Sequence, residues 1–424
     1  MKDEILNIFK ENVIIRISFI FIFLFPIILL LGSAILNLSI VIMNILFLVH
    51  IFNEKKFEIF KNDIFYLLLA WWFFLIINTL LNDNFNENYS RSFGFIRFIL
   101  LVFSFSYFLS YKNFQFKKIV FNIWTIVFII VSLDLVFEFF FGFNTLGFKS
   151  GYDGRLAGFL GKELKIGHWY LCFSLIILSN SLKQTKQFYF LLFFLIIISL
   201  LIGERANFIR LFIAVSLFLI ITRQLTFKKF TTMILIVGAT LSLILVTFSS
   251  DKISKKMDVF KYRFMGQFIN IAIEYNTVKD INNNNPYTPM FFNAYYLFKD
   301  NKFLGVGVGS YMKKSHEKFR KHKIINGHRI IPNTHPHQHH FEILATLGLP
   351  GYIFIFSLIL YFLYKSFRFY LINKKAVNLS SFLIVLVFIL PLIPTGSFFT
   401  TFGASIFWLN FSLMNIGNFK NINY

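Results

Sequence analysis

Apolar runs long enough to cross a bilayer recur along nearly the whole chain, and no other feature constrains the fold as much. They fall at roughly 13–32, 34–52, 63–81, 92–110, 119–142, 165–181, 187–203, 206–222, 230–250, 341–364, 377–395 and 400–417. Each approaches the roughly twenty residues that a helix needs to span hydrocarbon. Only 15% of the 424 residues are charged, too few to cover a soluble surface of this size. An ordinary soluble domain, a disordered chain and a secreted disulfide scaffold are thereby excluded. The single cysteine, Cys172, allows no intrachain disulfide and no Cys-based metal site. The bias toward Phe, Ile, Asn and Lys matches AT-rich coding and carries no functional signal.

Orientation follows from the short connections. Lys55, Lys56 and Lys61 lie in one, and Lys112, Lys117 and Lys118 two crossings later. Lys183 and Lys186, then Arg223, Lys228 and Lys229, then Lys365, Arg368, Lys374 and Lys375 continue the series. The alternate short loops are nearly free of Lys and Arg. This positive-inside alternation predicts cytoplasmic termini and a periplasmic insert at 251–340. The N-terminal stretch, with Lys2 and Lys10, does not read as a cleavable signal peptide, so the first helix is expected to be retained. The expected fold is an all-α polytopic membrane protein of about twelve transmembrane helices with one large, partly helical periplasmic loop. Helices 1–9 would occupy 1–250, the loop 251–340 and helices 10–12 residues 341–424. The net charge of +22 suits anionic lipid head groups or phosphate-bearing substrates.

The insert holds 15 Lys and Arg against 6 Asp and Glu, and seven of the nine His. Residues 288–300 have amphipathic helical spacing, 305–310 (GVGVGS) read as a glycine-rich turn, and Asn282 to Pro286 as a flexible connector. The strongest local signal is THPHQHHFEILATLGLPG at 334–351. Pro336 suits the first position of a helix capped by Thr334 or His335. That register would put His337, His340, Phe341 and Leu344 on one face. A His in a first helical turn is favoured as the neutral imidazole that a general base needs. The same helix end would attract a phosphate. A solvated polar loop and a metal site are the other readings of the His cluster. Helical divergence of the four rings and the absence of HExxH stand against metal.

Three more constellations stand out. Arg205 sits in GER at 203–205, beside apolar runs where Arg is expensive and commonly functional; snorkelling is the plainer reading. Arg210 lies deeper, to pair with an acid such as Glu204 or to line a polar cavity. GRLAGFLGKELKIGHWY at 154–170 brings Arg155, Lys162, Glu163, Lys165 and His168 to the outer side among Gly154, Gly158 and Gly161. The alternative there is a plain surface loop. Asp134 and Glu138 are acids inside an apolar run, fit for a proton relay or to neutralise a buried Arg.

Together these residues resemble the O-antigen ligase and O-antigen polymerase superfamily. His337, Gln338 and Gly348 fit the family's outer-face signature of His, then Asn, Ser or Gln, then nine residues and Gly; Gly351 falls where a further Gly is usual. LFKDNKFLGVGVGSY at 297–311, GERANFI at 203–209 and GRLAGFLGKEL at 154–164 resemble further family segments. The resemblance implies a metal-independent glycosyltransferase of the bacterial inner membrane, its active site facing the periplasm. The donor would be a glycan on undecaprenyl diphosphate, the acceptor lipid A-core or another lipid-linked glycan. His337 and Arg205 carry over as base and diphosphate ligand. The family's second arginine lies in the loop, where Arg263, Arg320 and Arg329 compete. Arg155, Arg210 and Gln338 join Arg320 and Arg329 as expected substrate-binding residues. Membrane lipids are expected partners; no cofactor, metal or nucleic acid is expected. Elementary chemistry agrees. A diphosphate leaves without a general acid, guanidinium groups hold its charge bidentately, and an acceptor hydroxyl needs a base. The alternative function is a transporter or flippase of lipid-linked glycans. That class would place charges through several helix centres and show repeat symmetry.

Overall fold

The computed structural model describes residues 8, 11–83, 85–111, 114–152, 154–161, 163–224, 231, 287–320, 323–325 and 327–416. Apart from residue 231, the expected span 230–250, and with it residues 251–286 of the insert including Arg263, lies outside the described residues. The helices are α1 (Val13–Ile28), α2 (Ser33–Asn53), α3 (Asp63–Leu80), α4 (Phe85–Gly94), α5 (Ile96–Ser110), α6 (Phe114–Phe141) and α7 (Ile166–Asn180). They continue as α8 (Thr185–Leu201), α9 (Arg205–Ile221), α10 (Thr288–Asp300), α11 (Tyr311–Lys318), α12 (His339–Asn373), α13 (Ala376–Phe388) and α14 (Thr401–Asn415). A helix thus lies at each expected span that falls on described residues. Among those residues five helical stretches are long and apolar enough to cross a membrane. The chain is a largely helical, polytopic membrane protein.

Two differences from expectation appear. Strands β1 (Lys323–Ile325) and β2 (His328–Ile330) pair antiparallel in the loop. In sequence the two strands are separated by Asn-Gly, a pair that favours a hairpin, and Gly327 stands at φ 77°. The expected span 92–110 divides: its apolar part is α5, which begins at Ile96, and its first residues belong to the polar helix α4.

The described residues group into two compact units. The first draws on Met1–Leu36, Tyr111–Ala272 and Tyr370–Val387, the second on Asn37–Ser110, Ile273–Phe369 and Phe388–Tyr424. In the first, α6 packs on α1, α7 and α8, and α9 on α7 and α8. Pro26 inside α1 has no N–H for the carbonyl of Ile22, and an unmet carbonyl is costly where no water reaches. The Trp124 indole donates to that carbonyl at 2.9 Å, and the Trp169 indole to the Pro26 carbonyl at 2.8 Å. Two tryptophans therefore repair the interrupted helix and fix it against α6 and α7. In the second unit α5 and α14 form the most extensive helix pair. Small serines let them approach: the Ser106 and Ser412 hydroxyls lie 2.8 Å apart, and Ser412 also donates to the Val102 carbonyl.

Candidate functional site

In the second unit the site grows from a break in α12. Gly348 stands at φ 67°, ψ −171°, a conformation essentially confined to glycine. A β-carbon there would run into the Phe303 and Lys302 carbonyls. Leu349, turned out of the helical ladder, donates its N–H to the Lys302 carbonyl at 2.7 Å. Pro350 offers no N–H to Thr346. The carbonyls of Ala345 and Thr346 accept instead from Val306 and Gly307 of the glycine-rich turn, at 2.9 and 2.8 Å. The Gly-rich turn is thus the partner of the broken helix. From its other side α3 and α4 hold it. Asn78 donates to the Leu304 carbonyl, Asn82 to that of Gly305 and Arg91 to that of Val308, while Asn88 accepts from the Gly309 N–H at 2.7 Å.

The His-rich turn sits at the head of this assembly, and its register corrects the expectation. α12 begins at His339, not at Pro336. Gln338 acts as the cap: its side-chain oxygen accepts from the His340 N–H at 2.5 Å and its carbonyl from Glu342 at 2.9 Å. His337 therefore precedes the helix instead of lying in its first turn, and shares no helical face with His340, Phe341 and Leu344. Its backbone takes φ 53°, a left-handed conformation in which His is enriched among non-glycine residues. The Thr395 N–H fixes it there by donating to the His337 carbonyl at 2.6 Å. The half-buried His337 ring lies 4.0 Å from that of His335 and 5.8 Å from that of Tyr287.

The other rings are engaged with protein. His340 Nε2 meets the Ile389 carbonyl at 2.7 Å, so that nitrogen carries the proton and Nδ1 accepts from the Tyr352 hydroxyl at 2.9 Å. His339 is buried, with Nδ1 donating to the Phe388 carbonyl at 3.0 Å. Gln338 also donates to the Leu390 carbonyl at 3.2 Å.

Glu342 escaped the sequence reading. Its carboxylate, buried at the start of α12, accepts from the Ser397 hydroxyl and, at 2.7 Å, from the Phe398 N–H. It ties α12 to the 395–398 segment that holds His337. The signal was present: an acid four residues past a cap cannot enter an apolar helix without donors to meet it.

The first unit carries a separate polar cluster. Arg205 is the first residue of α9 and half-buried. Buried Glu204 occupies the N-cap position of that helix; Arg155 pairs with its carboxylate at 3.0 Å and the Asn207 amide donates to its other oxygen. The fully buried Arg210 donates to the side-chain Oδ1 of Asn207 at 3.1 Å, and His168 Nδ1 lies 3.0 Å from the Asn207 side-chain nitrogen. Arg210 thus reaches the acid through Asn207. Burial pushes the Glu204 carboxyl up from the ordinary carboxylate range, against the pull of Arg155, Asn207 and Arg210. The close fit is set by glycines. A β-carbon on Gly203, at φ 76°, would strike the Gly154 carbonyl, and one on Gly167 would strike Glu204.

Asp134 and Glu138 serve this same loop. Asp134 accepts from the Thr145 N–H and hydroxyl at 2.8 and 2.6 Å, and Glu138 from the Gly158 N–H at 2.7 Å. They pin loop backbone rather than forming a relay. Lys165 pairs with Glu163 at 2.6 Å on the surface, and Lys162 lies outside the described residues.

The structure therefore gathers Arg155 and Arg210 around Glu204 in one unit and places His337 and Gln338 in one turn of the other. Arg320, after α11, and Arg329, on β2, are both exposed. In comparison with known families, residues 190–356 match the model of the O-antigen ligase family. No curated protein matches the chain. The matched stretch takes in Arg205, Arg210, the glycine-rich turn, His337, Gln338 and Gly348, so over this segment the chain is similar to that family.

Proposed function

We propose that the chain is an O-antigen ligase- or polymerase-like glycosyltransferase. It moves a glycan from undecaprenyl diphosphate to an acceptor hydroxyl, of lipid A-core or of another lipid-linked glycan, at the periplasmic face of a bacterial inner membrane. The observation that carries this reading is the family match across 190–356, which contains both the GER segment and the His337 turn. In this reading His337 takes the acceptor proton as the oxygen attacks the anomeric carbon. The diphosphate departs with the bonding pair, its charge met by Arg205 with Arg155 and a loop arginine, Arg320 or Arg329. Gln338 fixes the backbone that presents His337. Arg210, fully buried, braces Glu204 through Asn207. No metal ion or cofactor enters the step.

The test is transfer from a lipid-linked oligosaccharide in proteoliposomes, with expression checked for each variant. His337→Ala should lower turnover about 10²- to 10⁴-fold with donor binding little changed, because a base acts mainly in the transition state. Arg205→Lys keeps the charge but loses the bidentate fork, and should weaken donor binding or leaving-group departure. Near-normal turnover in His337→Ala would end the base assignment.

A further inference from the structure

The first unit holds a second polar feature, away from the Glu204 cluster. Between α6, α7 and α8, at their lysine-bearing ends, lies a cavity of about 460 Å³. That volume falls within the range of about 300–1,000 Å³ usual for small-molecule sites. Its walls repeat one pattern on three helices. Lys118, Asn122 and Ile126 follow one face of α6 at four-residue spacing. The end of α7 contributes Asn180 and Ser181, with Ile177 one turn deeper. The start of α8 contributes Gln184 and Gln187, with Leu191 one turn deeper. Each wall runs from polar at the helix end to apolar toward the helix middle. On α6 the change takes about 12 Å, eight residues at about 1.5 Å each.

We propose that this cavity seats the head group of an anionic phospholipid of the surrounding membrane. The phosphate faces Lys118, and the acyl chains descend past Ile126, Ile177 and Leu191. The graded walls select an amphiphile, because a free anion has no use for the apolar floor. Charge selects an anion. Lys118 is the charged side chain among the cavity's lining residues, which include no carboxylate. Among the described residues it has no carboxylate partner. Lys117, Lys183 and Lys186 add positive field at the same helix ends. The Asn180 amide donates to Asn122 at 2.9 Å, which leaves the Asn122 N–H groups for a phosphate or glycerol oxygen. Basic pockets between spanning helices are the usual form of such sites.

Native mass spectrometry of the detergent-purified full chain tests this, by titration with dioleoylphosphatidylglycerol, with dioleoylphosphatidylcholine and with inorganic phosphate. The anionic lipid should bind at least about fivefold more tightly than the zwitterionic one, the worth of one lysine beside an anionic head group. Lys118→Gln should abolish that preference. Lys183→Gln, exposed and outside the cavity, should retain it. Thr125→Trp, which fills the space, should reduce binding of both lipids. Thermal unfolding of each variant separates lost binding from lost folding. The proposal is overturned if Lys118→Gln keeps the preference, or if Lys183→Gln removes as much of it, which would reveal diffuse surface charge. Displacement of the lipid by millimolar phosphate would overturn it too, by making the site one for a free anion.

Discussion

Gly348→Ala tests whether the break in α12 and the glycine-rich turn form one structure. At φ 67°, ψ −171° an alanine is strained by about 1–3 kcal/mol. Its β-carbon also meets the Phe303 and Lys302 carbonyls, so residues 302–303 must withdraw. Withdrawal breaks the Leu349-to-Lys302 bond and strains those from Val306 and Gly307. Stranding one buried donor, such as the Val306 N–H, costs about 1–3 kcal/mol, which brings the total to about 2–6 kcal/mol. Gly32→Ala is the matched control. Its φ is +95°, but nothing lies within 4 Å of a β-carbon there, so strain alone applies. Hydrogen exchange in detergent, read over 302–308, should show protection lost in Gly348→Ala and kept in Gly32→Ala. The thermal midpoint should fall more in the first. Unchanged protection over 302–308 in a folded Gly348→Ala protein would refute the pairing of turn and helix.

His339→Ala should destabilise the protein by about 1–3 kcal/mol in thermal unfolding, because it strands the buried Phe388 carbonyl. His316→Ala, exposed on α11, should be silent in the same melt. Reporter fusions at Lys374 and Asn283 should report opposite compartments; one compartment for both would overturn the charge-based topology. Transfer activity should survive EDTA, and loss restored by a divalent metal would contradict the metal-free mechanism.

What could be read in the sequence follows from what is local. Span positions were legible because hydrophobic length is a property of the segment itself. The spacing from His337 to Gly348 was legible too, and its physical basis is now visible: only glycine fits against Phe303 and Lys302. The start of α12 was misread because Pro336 is a good first helical residue by local rules. A contact from Thr395, 58 positions on, holds His337 out of the helix instead. α4 went unread because its ten residues are polar and short; its role depends on a turn more than 200 residues later. Asp134 and Glu138 were correctly singled out as acids in apolar surroundings. Their partners are a loop's backbone amides and the Thr145 hydroxyl, which the pattern around the acids does not announce.

The clasp on the glycine-rich turn also fixes an order of assembly. Asn78 and its acceptor Leu304 are 226 residues apart, and Arg91 and Val308 are 217 apart. At roughly 5–20 residues per second, a ribosome finishes the α3–α4 hairpin on the order of 10 to 50 s before the turn emerges. Through that interval the side chains of Asn78, Asn82 and Asn88 lack the backbone they will grip, and water must serve them. α12 in turn cannot complete its interrupted ladder until the turn is already in place. The histidine turn is therefore fastened last, onto a frame whose older half has been waiting since early in translation.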